Sequence, residues 1–335
     1  MRPTIVLDAM GSDARPMPEL TAAPIITSTY DIDLILVGDE AVLKAGLAAQ
    51  PGEKSHIRIV HAPEAIDMSD HIQEARAKKN NTMQVGMELV KQGEAQAFVS
   101  AGNTGMAMYF GTKVFGLMPG VLRPCIGTAF PVKGGNGVIL DAGANAECKP
   151  EFLVQFGQMG RIYAQIMLNK ANPTVGLIAN GEEEGKGNEL VKASGPLMRQ
   201  EVPGFIGNIE GKEFFGGEVD VAVTDGFTGN VVMKFTEAVS KLLFDSLKQE
   251  LMSSTRTKLG ALLAKPAFDS VRKLIDPEEI GSAPFLGLDG LVFIGHGRSD
   301  AKAMVSAVNQ ARKAVESNLL DSLRKSITAS GALQS

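Results

Sequence analysis

Two short stretches of the chain, Gly102-Asn103-Thr104-Gly105 and Gly226-Phe227-Thr228-Gly229, share one pattern suited to chemistry. Each is a Gly-x-Thr-Gly turn between a short apolar run and apolar residues at helical spacing. The first follows Phe98-Val99-Ser100-Ala101 and opens onto Met106 to Phe115. The second follows Val219, Val221, Ala222 and Val223 and opens onto Val231, Val232, Phe235, Val239 and Leu242. The pattern predicts strand, glycine turn, helix start. A helix start presents unpaired backbone N–H groups and the positive end of the dipole, which suits an anion. Glycine lets the backbone approach that anion closely. One such turn is an ordinary connection in an α/β fold. Two copies favour an anion cleft at the carboxyl ends of parallel strands.

Other strand ends carry polar residues of the same kind: Asp8 and Gly11, Asp141 and Asn145, Asp225 and Asn230, and His296 in Gly295-His296-Gly297-Arg298. Lys186 stands between Gly185 and Gly187, where a flexible backbone can place an ammonium beside an anion. The aspartates also suit plain turn chemistry. Glu182, Glu183 and Glu184 could hold a divalent cation, but helix-start charge accounts for them, and no metal site is expected. The sequence has no Walker A loop, no nucleophile elbow, no metal-ligand cluster and no dinucleotide fingerprint after its first strand. Such an inventory suits anion binding and oxyanion stabilisation without a protein nucleophile.

The elements that must position these residues follow from periodicity. Strands are expected at Thr4–Asp8, Asp33–Gly38, Ile57–Val60, Val175–Ala179 and Leu291–Ile294. Helices are expected at Glu40–Ala49, Met83–Lys91, Pro150–Ile166 and from Asn188 to Arg199. Ile126–Val132 and Gly137–Asp141 flank Lys133-Gly134-Gly135-Asn136 and predict a hairpin, so the sheet should be mixed. Ala283–Gly287 looks like a turn-rich approach, and Asp300 or Ser299 should cap a last helix over 301–323, frayed after Arg324. Arg76, Lys78 and Lys79 fit a solvated face, and His56, His61 and His71 fit surface or packing positions.

From Leu251 to Ile275 the character changes. Leu259, Leu262, Leu263, Phe268, Val271, Leu274 and Ile275 fall at helical spacing among Arg256, Lys258, Lys265, Arg272 and Lys273. This reads as a basic, amphipathic helical-hairpin arm broken by Pro266. Subunit packing, an acidic partner and a membrane surface all fit it.

Composition narrows the class. With 335 residues, 44% of them hydrophobic, the chain can bury the core of one large α/β unit or two lobes. A net charge of −5 and no basic stripe argue against nucleic acid. Two cysteines without metal spacing fit a reducing cytosol, and the amino terminus looks like a strand instead of a signal peptide. No run approaches a membrane span, so any membrane contact should be peripheral.

The stretches LDAMGSD, VSAGNTG, ILDAGANAECKPEFLVQF, NGEEEGKGNELVK, FIGNIEG, VAVTDGFTGNVVMK and GHGRSDAK run from Leu7 to about Lys302. In them the chain resembles the bacterial phosphate acyltransferases, which make acyl phosphate from acyl-[acyl-carrier-protein] and inorganic phosphate. The family usually has glycine where Ser12 stands, two serines near Asn81-Thr82, and alanine where Gly295 stands.

The resemblance implies a homodimeric, three-layer α/β/α sandwich, one catalytic domain over 1–335 with the 251–275 arm protruding, similar to phosphotransacetylases and isopropylmalate dehydrogenases. It implies a cytosolic enzyme without organic cofactor, membrane-associated through the arm, feeding a membrane glycerol-3-phosphate acyltransferase. In this reading phosphate sits on the turns Gly102-Asn103-Thr104-Gly105 and Gly226, Thr228, Gly229. Lys186 and Asn230 stabilise the oxyanion, Asp225 orients one of them, and His296 is a further donor. Asp8, Gly11, Asp141 and Asn145 line the cleft. Two rivals are a metal- and nicotinamide-dependent decarboxylating dehydrogenase of related fold, and a silent scaffold that binds carrier protein or membrane.

Overall fold

The computed structural model describes residues 2–275 and 281–331; the side chains of Arg272, Lys273, Leu274 and Ile275, expected on the arm, lie outside the described residues. The strands are β1 (Thr4–Asp8), β2 (Asp33–Gly38), β3 (Ile57–His61), β4 (Ala97–Ser100), β5 (Cys125–Ile126), β6 (Thr128–Val132), β7 (Gly135–Leu140), β8 (Val175–Ile178), β9 (Phe205–Ile209), β10 (Val221–Val223), β11 (Ala283–Leu286) and β12 (Leu291–Ile294). The helices are α1 (Met17–Thr29), α2 (Glu40–Ala49), α3 (Ile72–Ala77), α4 (Thr82–Lys91), α5 (Thr104–Phe115), α6 (Pro150–Met167), α7 (Glu189–Glu201), α8 (Gly211–Gly216), α9 (Gly226–Leu251), α10 (Thr255–Ile275), α11 (Ala301–Glu316) and α12 (Leu319–Gly331).

The α/β class and the mostly parallel pairing are as expected, but the strands form two sheets. One has seven strands in the order β3-β2-β1-β4-β12-β11-β5, and the other has five in the order β6-β7-β10-β8-β9. Parallel pairs join β3 through β12 in the first sheet and β7 through β9 in the second. Antiparallel pairs stand at the ends, where β11 meets β12 and β5, and β6 meets β7. The run read as one strand over Ile126–Val132 is cut at Gly127, so β5 and β6 belong to different sheets. The hairpin over Lys133-Gly134 is present, with Val132 opposite Gly135.

Alternation along the strands explains the layers. Ile5, Leu7, Leu34, Leu36 and Val99 point into one cluster; Val6, Ile35, Val37 and Phe98 point into another on the opposite face. Helix α11 packs on β1, β4 and β12, and α4 on β1, β2 and β4. The first cluster continues through Leu140, Phe156, Leu177 and Val223, so one apolar core runs under both sheets. Both faces of a parallel sheet are thus covered, which is why its strands read as unbroken apolar runs.

Four further readings need correction. Helix α1 was not apparent: Pro18, Glu19, Leu20, Ala22, Ala23, Pro24 and Ile26 are all buried, so there is no polar stripe to reveal it. Ala283–Leu286 is a strand, not a turn. The last helix divides at Asn318, which has φ 53, and its second part continues to Gly331 instead of fraying after Arg324. The arm is a hairpin whose first leg is the second half of α9. Pro266 lies inside α10 without ending it. It is exposed there, where water can take up the carbonyl that proline leaves unpaired.

Candidate active site

In the seven-stranded sheet Leu7 lies beside Val99 and Ser100 beside Ile294, so the loops after β1, β4 and β12 are neighbours. Asp8 ends β1 fully buried. Its carboxylate accepts from the Met10 N–H at 3.0 Å and the Ser100 hydroxyl at 2.8 Å. Burial raises its pKa, against the pull of those hydrogen bonds and of Arg15. Ser100 Oγ also accepts from the Gly102 N–H at 3.1 Å. A Cβ on Gly11 would lie 2.7 Å from Ser100 Oγ and 3.0 Å from the Gly102 nitrogen. Glycine is required because the two loops touch through their backbones. The loop after β12 joins them, with the Asp13 N–H donating to the Gly297 carbonyl at 2.7 Å.

Asn103 is the N-cap of α5. Its Oδ1 accepts from the Met106 N–H at 3.1 Å, and its Nδ2 donates to the Met68 carbonyl at 3.1 Å. The side chain is therefore occupied. Among the described residues, the N–H groups of Thr104 and Gly105 have no partner. With the Asn103 N–H, which also has no partner among the described residues, they are the open donors of this turn at the positive end of α5.

In the five-stranded sheet Val223 lies between Leu140 and Leu177, so the loops after β7, β10 and β8 are neighbours. Asp141 organises them. Its carboxylate accepts five N–H groups: Ile126 at 3.0 Å, Gly143 at 3.1 Å, Ala144 at 3.0 Å, Asn145 at 2.7 Å and the Asn145 side chain at 2.9 Å. Burial pushes its pKa up, and these donors oppose that. Asn145 in turn accepts the Gly226 N–H at 2.8 Å on its carbonyl. A Cβ on Gly226 would meet that carbonyl at 2.6 Å, and one on Gly229 would come within 1.9 Å of the Asp141 carbonyl. The second pair of glycines therefore lets α9 start directly on the Asp141 loop.

Asp225 caps α9, accepting the Thr228 N–H at 2.8 Å and the Thr228 hydroxyl at 2.9 Å. The expected contact of Asp225 with Lys186 or Asn230 is not among its hydrogen bonds, and Thr228 has no free hydroxyl proton for an anion. Asn230 faces the Asp141 loop, 3.5 Å from where a Gly143 Cβ would stand. Lys186 is exposed on the loop after β8, and among the described residues no carboxylate lies within ion-pair reach of it. Glu182 does approach Glu210 and Glu213, but Lys212 sits among them at 2.6 to 3.3 Å. Cys148 donates to the Asn145 carbonyl at 3.6 Å, and burial pushes its thiol up to about 12. A thiolate nucleophile has no basis there.

The two groups of loops are tied together. Ala142 and Ala144 belong to, or pack against, the same hydrophobic cluster as Met106, Ala107 and Ile294 of the seven-stranded half. The Ala142 N–H donates to the Ile126 carbonyl at 3.0 Å. Helix α9 reaches from the Gly226 turn to Glu237, whose carboxylate lies 3.4 Å from His296 Nε2 and 3.3 Å from Arg298. The sequence reading missed Glu237 and Glu19. Glu19 is fully buried in α1, accepts the Ser12 N–H at 3.3 Å, and has its pKa raised to about 7 by burial. An acid inside the apolar run Pro18–Ile26 was the available signal.

A mixed α/β body with glycine-rich loops gathered at the carboxyl ends of its parallel strands is the class that binds ligands outside strand ends. Residues 3–322 match the family described as fatty acid synthesis protein, and the chain belongs to it. It is 45% identical over 325 residues to the phosphate acyltransferase of Elusimicrobium minutum, covering 96% of this chain and 95% of that one. It is 44% identical to the phosphate acyltransferase of Pelotomaculum thermopropionicum, covering 96% and 94%. Among solved structures, the EutD phosphotransacetylase of Staphylococcus aureus has the same fold, with a TM-score of 0.63 at 15% identity over 94% of each chain.

Proposed function

We propose that the chain is a phosphate acyltransferase that moves the acyl group of an acyl-[acyl-carrier-protein] onto inorganic phosphate, an early step of phospholipid synthesis. The observation that supports this reading is that α9 touches both loop sets, through Glu237 at His296 and Arg298 on one side and through Gly226 and Gly229 at the Asp141 loop on the other. Phosphate binds at the Gly102-Asn103-Thr104-Gly105 turn. Gly226, Thr228 and Gly229 fix the opposite wall, and Asp8, Gly11, Asp141 and Asn145 set the shape between. A phosphate oxygen attacks the thioester carbon; the new O–C bond forms, the C–S bond breaks, and the carrier leaves as thiolate. With an ordinary thiol pKa of about 8.5, that leaving group needs no strong general acid. Lys186 and Asn230 stabilise the oxyanion, His296 is a further contact to the phosphate, and no organic cofactor enters.

The chain works in the cytosol as a homodimer and passes acyl phosphate to a membrane glycerol-3-phosphate acyltransferase. No helix among the described residues is long and apolar enough to cross a membrane. Incubation with acyl-carrier thioester should release thiol only when phosphate is present, and hydroxylamine should trap the acyl phosphate. Thiol release independent of phosphate, or none at all, would sink the reading. Lys186→Ala and Asn230→Ala should each lower the phosphate-dependent rate on the order of a hundredfold.

A further inference from the structure

The backbone around His296 is fixed on three sides. The Gly295 N–H donates to the Ser100 carbonyl at 2.8 Å, the Gly297 carbonyl accepts from Asp13 at 2.7 Å, and the Ser299 N–H donates to the His296 carbonyl at 2.9 Å. None of these contacts sets the imidazole itself. The ring can turn about its side-chain torsions and can carry its proton on either nitrogen. One group bears on both questions. Glu237 Oε1 lies 3.4 Å from Nε2, and the other carboxylate oxygen lies 3.3 Å from the Arg298 guanidinium. Among the described residues, Nδ1 has no partner.

We infer that Glu237 is a positioning residue for the proposed acyl transfer: its carboxylate takes the Nε2–H of His296 and leaves Nδ1 as the acceptor that meets an O–H of the bound phosphate. Glu237 is well placed for this. It is anchored on α9, the same helix whose first turn rests on the Asp141 loop, so the imidazole is referenced to the opposite wall of the site. The glutamate side chain is 22% exposed, against 43% for the histidine, so the contact is partly shielded. Its own pKa is lowered, first by its contact with His296 and further by the nearby charges of Arg298 and Lys234. It therefore remains an acceptor across the neutral range. A partner that fixes tautomer and ring orientation acts through the histidine and need not touch substrate.

The inference rests on the acyltransferase reading and on His296 belonging to the site, and the test separates the three. Acyl phosphate formation is measured for the wild type, His296→Ala, Glu237→Ala, Glu237→Gln and the double alanine variant, each checked for a cooperative melt. Wild-type turnover tests the activity itself. His296→Ala should lower kcat by about tenfold or more, as removal of a group that takes a proton or hydrogen bond from the reacting phosphate does. Glu237→Ala should lower kcat by roughly the same factor with the thioester KM unchanged. Glu237→Gln, which keeps an acceptor oxygen, should recover most of the loss. The double variant should be no slower than His296→Ala, because the glutamate acts only through the ring. Nitrogen-15 spectra of His296 should show Nε2–H in the wild type and a tautomer mixture in Glu237→Ala. Losses that multiply in the double variant, or a wild-type rate in Glu237→Ala beside a slow His296→Ala, would overturn the inference. A wild-type rate in His296→Ala would remove His296 from the site, and the role of Glu237 with it.

Discussion

Removing the Asp141 carboxylate would leave five N–H groups without their acceptor, four of them in the loop that carries Asn145. Each buried N–H without a partner costs about 1–3 kcal/mol, and water reaching the loop recovers part of this. Asp141→Ala should therefore destabilise the chain by at least about 3 kcal/mol, read as a lower urea midpoint at unchanged slope. A midpoint equal to the wild type would mean the loop finds other acceptors. Glu19 offers a second test of a single group. Its folded pKa stands at about 7 against an ordinary 4.5, raised first by burial. A carboxyl whose folded pKa is raised holds its proton more tightly in the folded chain. The stability it lends is full below pH 4.5 and drains as pH climbs through about 7. The whole span corresponds to about 3 kcal/mol. Between pH 5 and pH 8 the wild type should lose stability relative to Glu19→Gln, which cannot ionise. Parallel curves for the two proteins would show that Glu19 does not titrate in this window.

At the level of elements, the start of α9 lies against the Asp141 loop with no room for a side chain at Gly229. A methyl there would stand 1.9 Å from the Asp141 carbonyl, a backbone atom that cannot rotate away. Gly229→Ala should push the helix start off the loop, costing roughly 3 kcal/mol, the upper end for overpacking, and the phosphate-dependent rate should fall with it. A variant with wild-type melting and rate would mean the loop shifts freely. This contact also shows what the sequence could convey. Both Gly-x-Thr-Gly turns were legible as strand, turn and helix start, because the apolar period changes from strand to helix across them. That Gly226 and Gly229 serve close packing was not legible, since the atoms they approach come from Asp141 and Asn145, some 80 residues earlier. The same holds for Asp225, whose spacing to Thr228 fits an N-cap as well as an anion ligand. The division into two sheets was hidden because the apolar strand signal runs on across Gly127, where the chain passes from one sheet to the other. Glu237 was hidden because its partner His296 is far away in sequence.

For the whole molecule, the hairpin of α9 and α10 presents Leu242 and Leu243 at 64% exposure, Leu262 at 67% and Leu263 at 79%, with Phe235 and Leu259 nearby. Isolated exposed leucines are ordinary, but a run of them along two packed helices is a contiguous apolar surface of the kind that marks an interaction site. A second copy of the chain is the occupant proposed for it. A stable interface of this kind buries roughly 1,600 Å² in total, and the exposed leucines of two hairpins are the apolar surface on offer. A two-fold interface would repeat each contact, so one set of substitutions weakens both halves. Leu259→Ser, Leu262→Ser and Leu263→Ser together should therefore shift sedimentation from about twice the chain mass of 35.4 kDa to that mass, and leave the melt of the α/β body nearly unchanged. These leucines lie outside the site, so any change in rate on dissociation would report that α9, which leads from the arm to Glu237 and the Gly226 turn, depends on being held. A wild type that sediments as a monomer at every concentration would remove the second copy as the occupant. Binding to vesicles of anionic lipid, tested with the same wild type and triple variant, would then decide whether the basic, apolar arm meets a membrane surface instead.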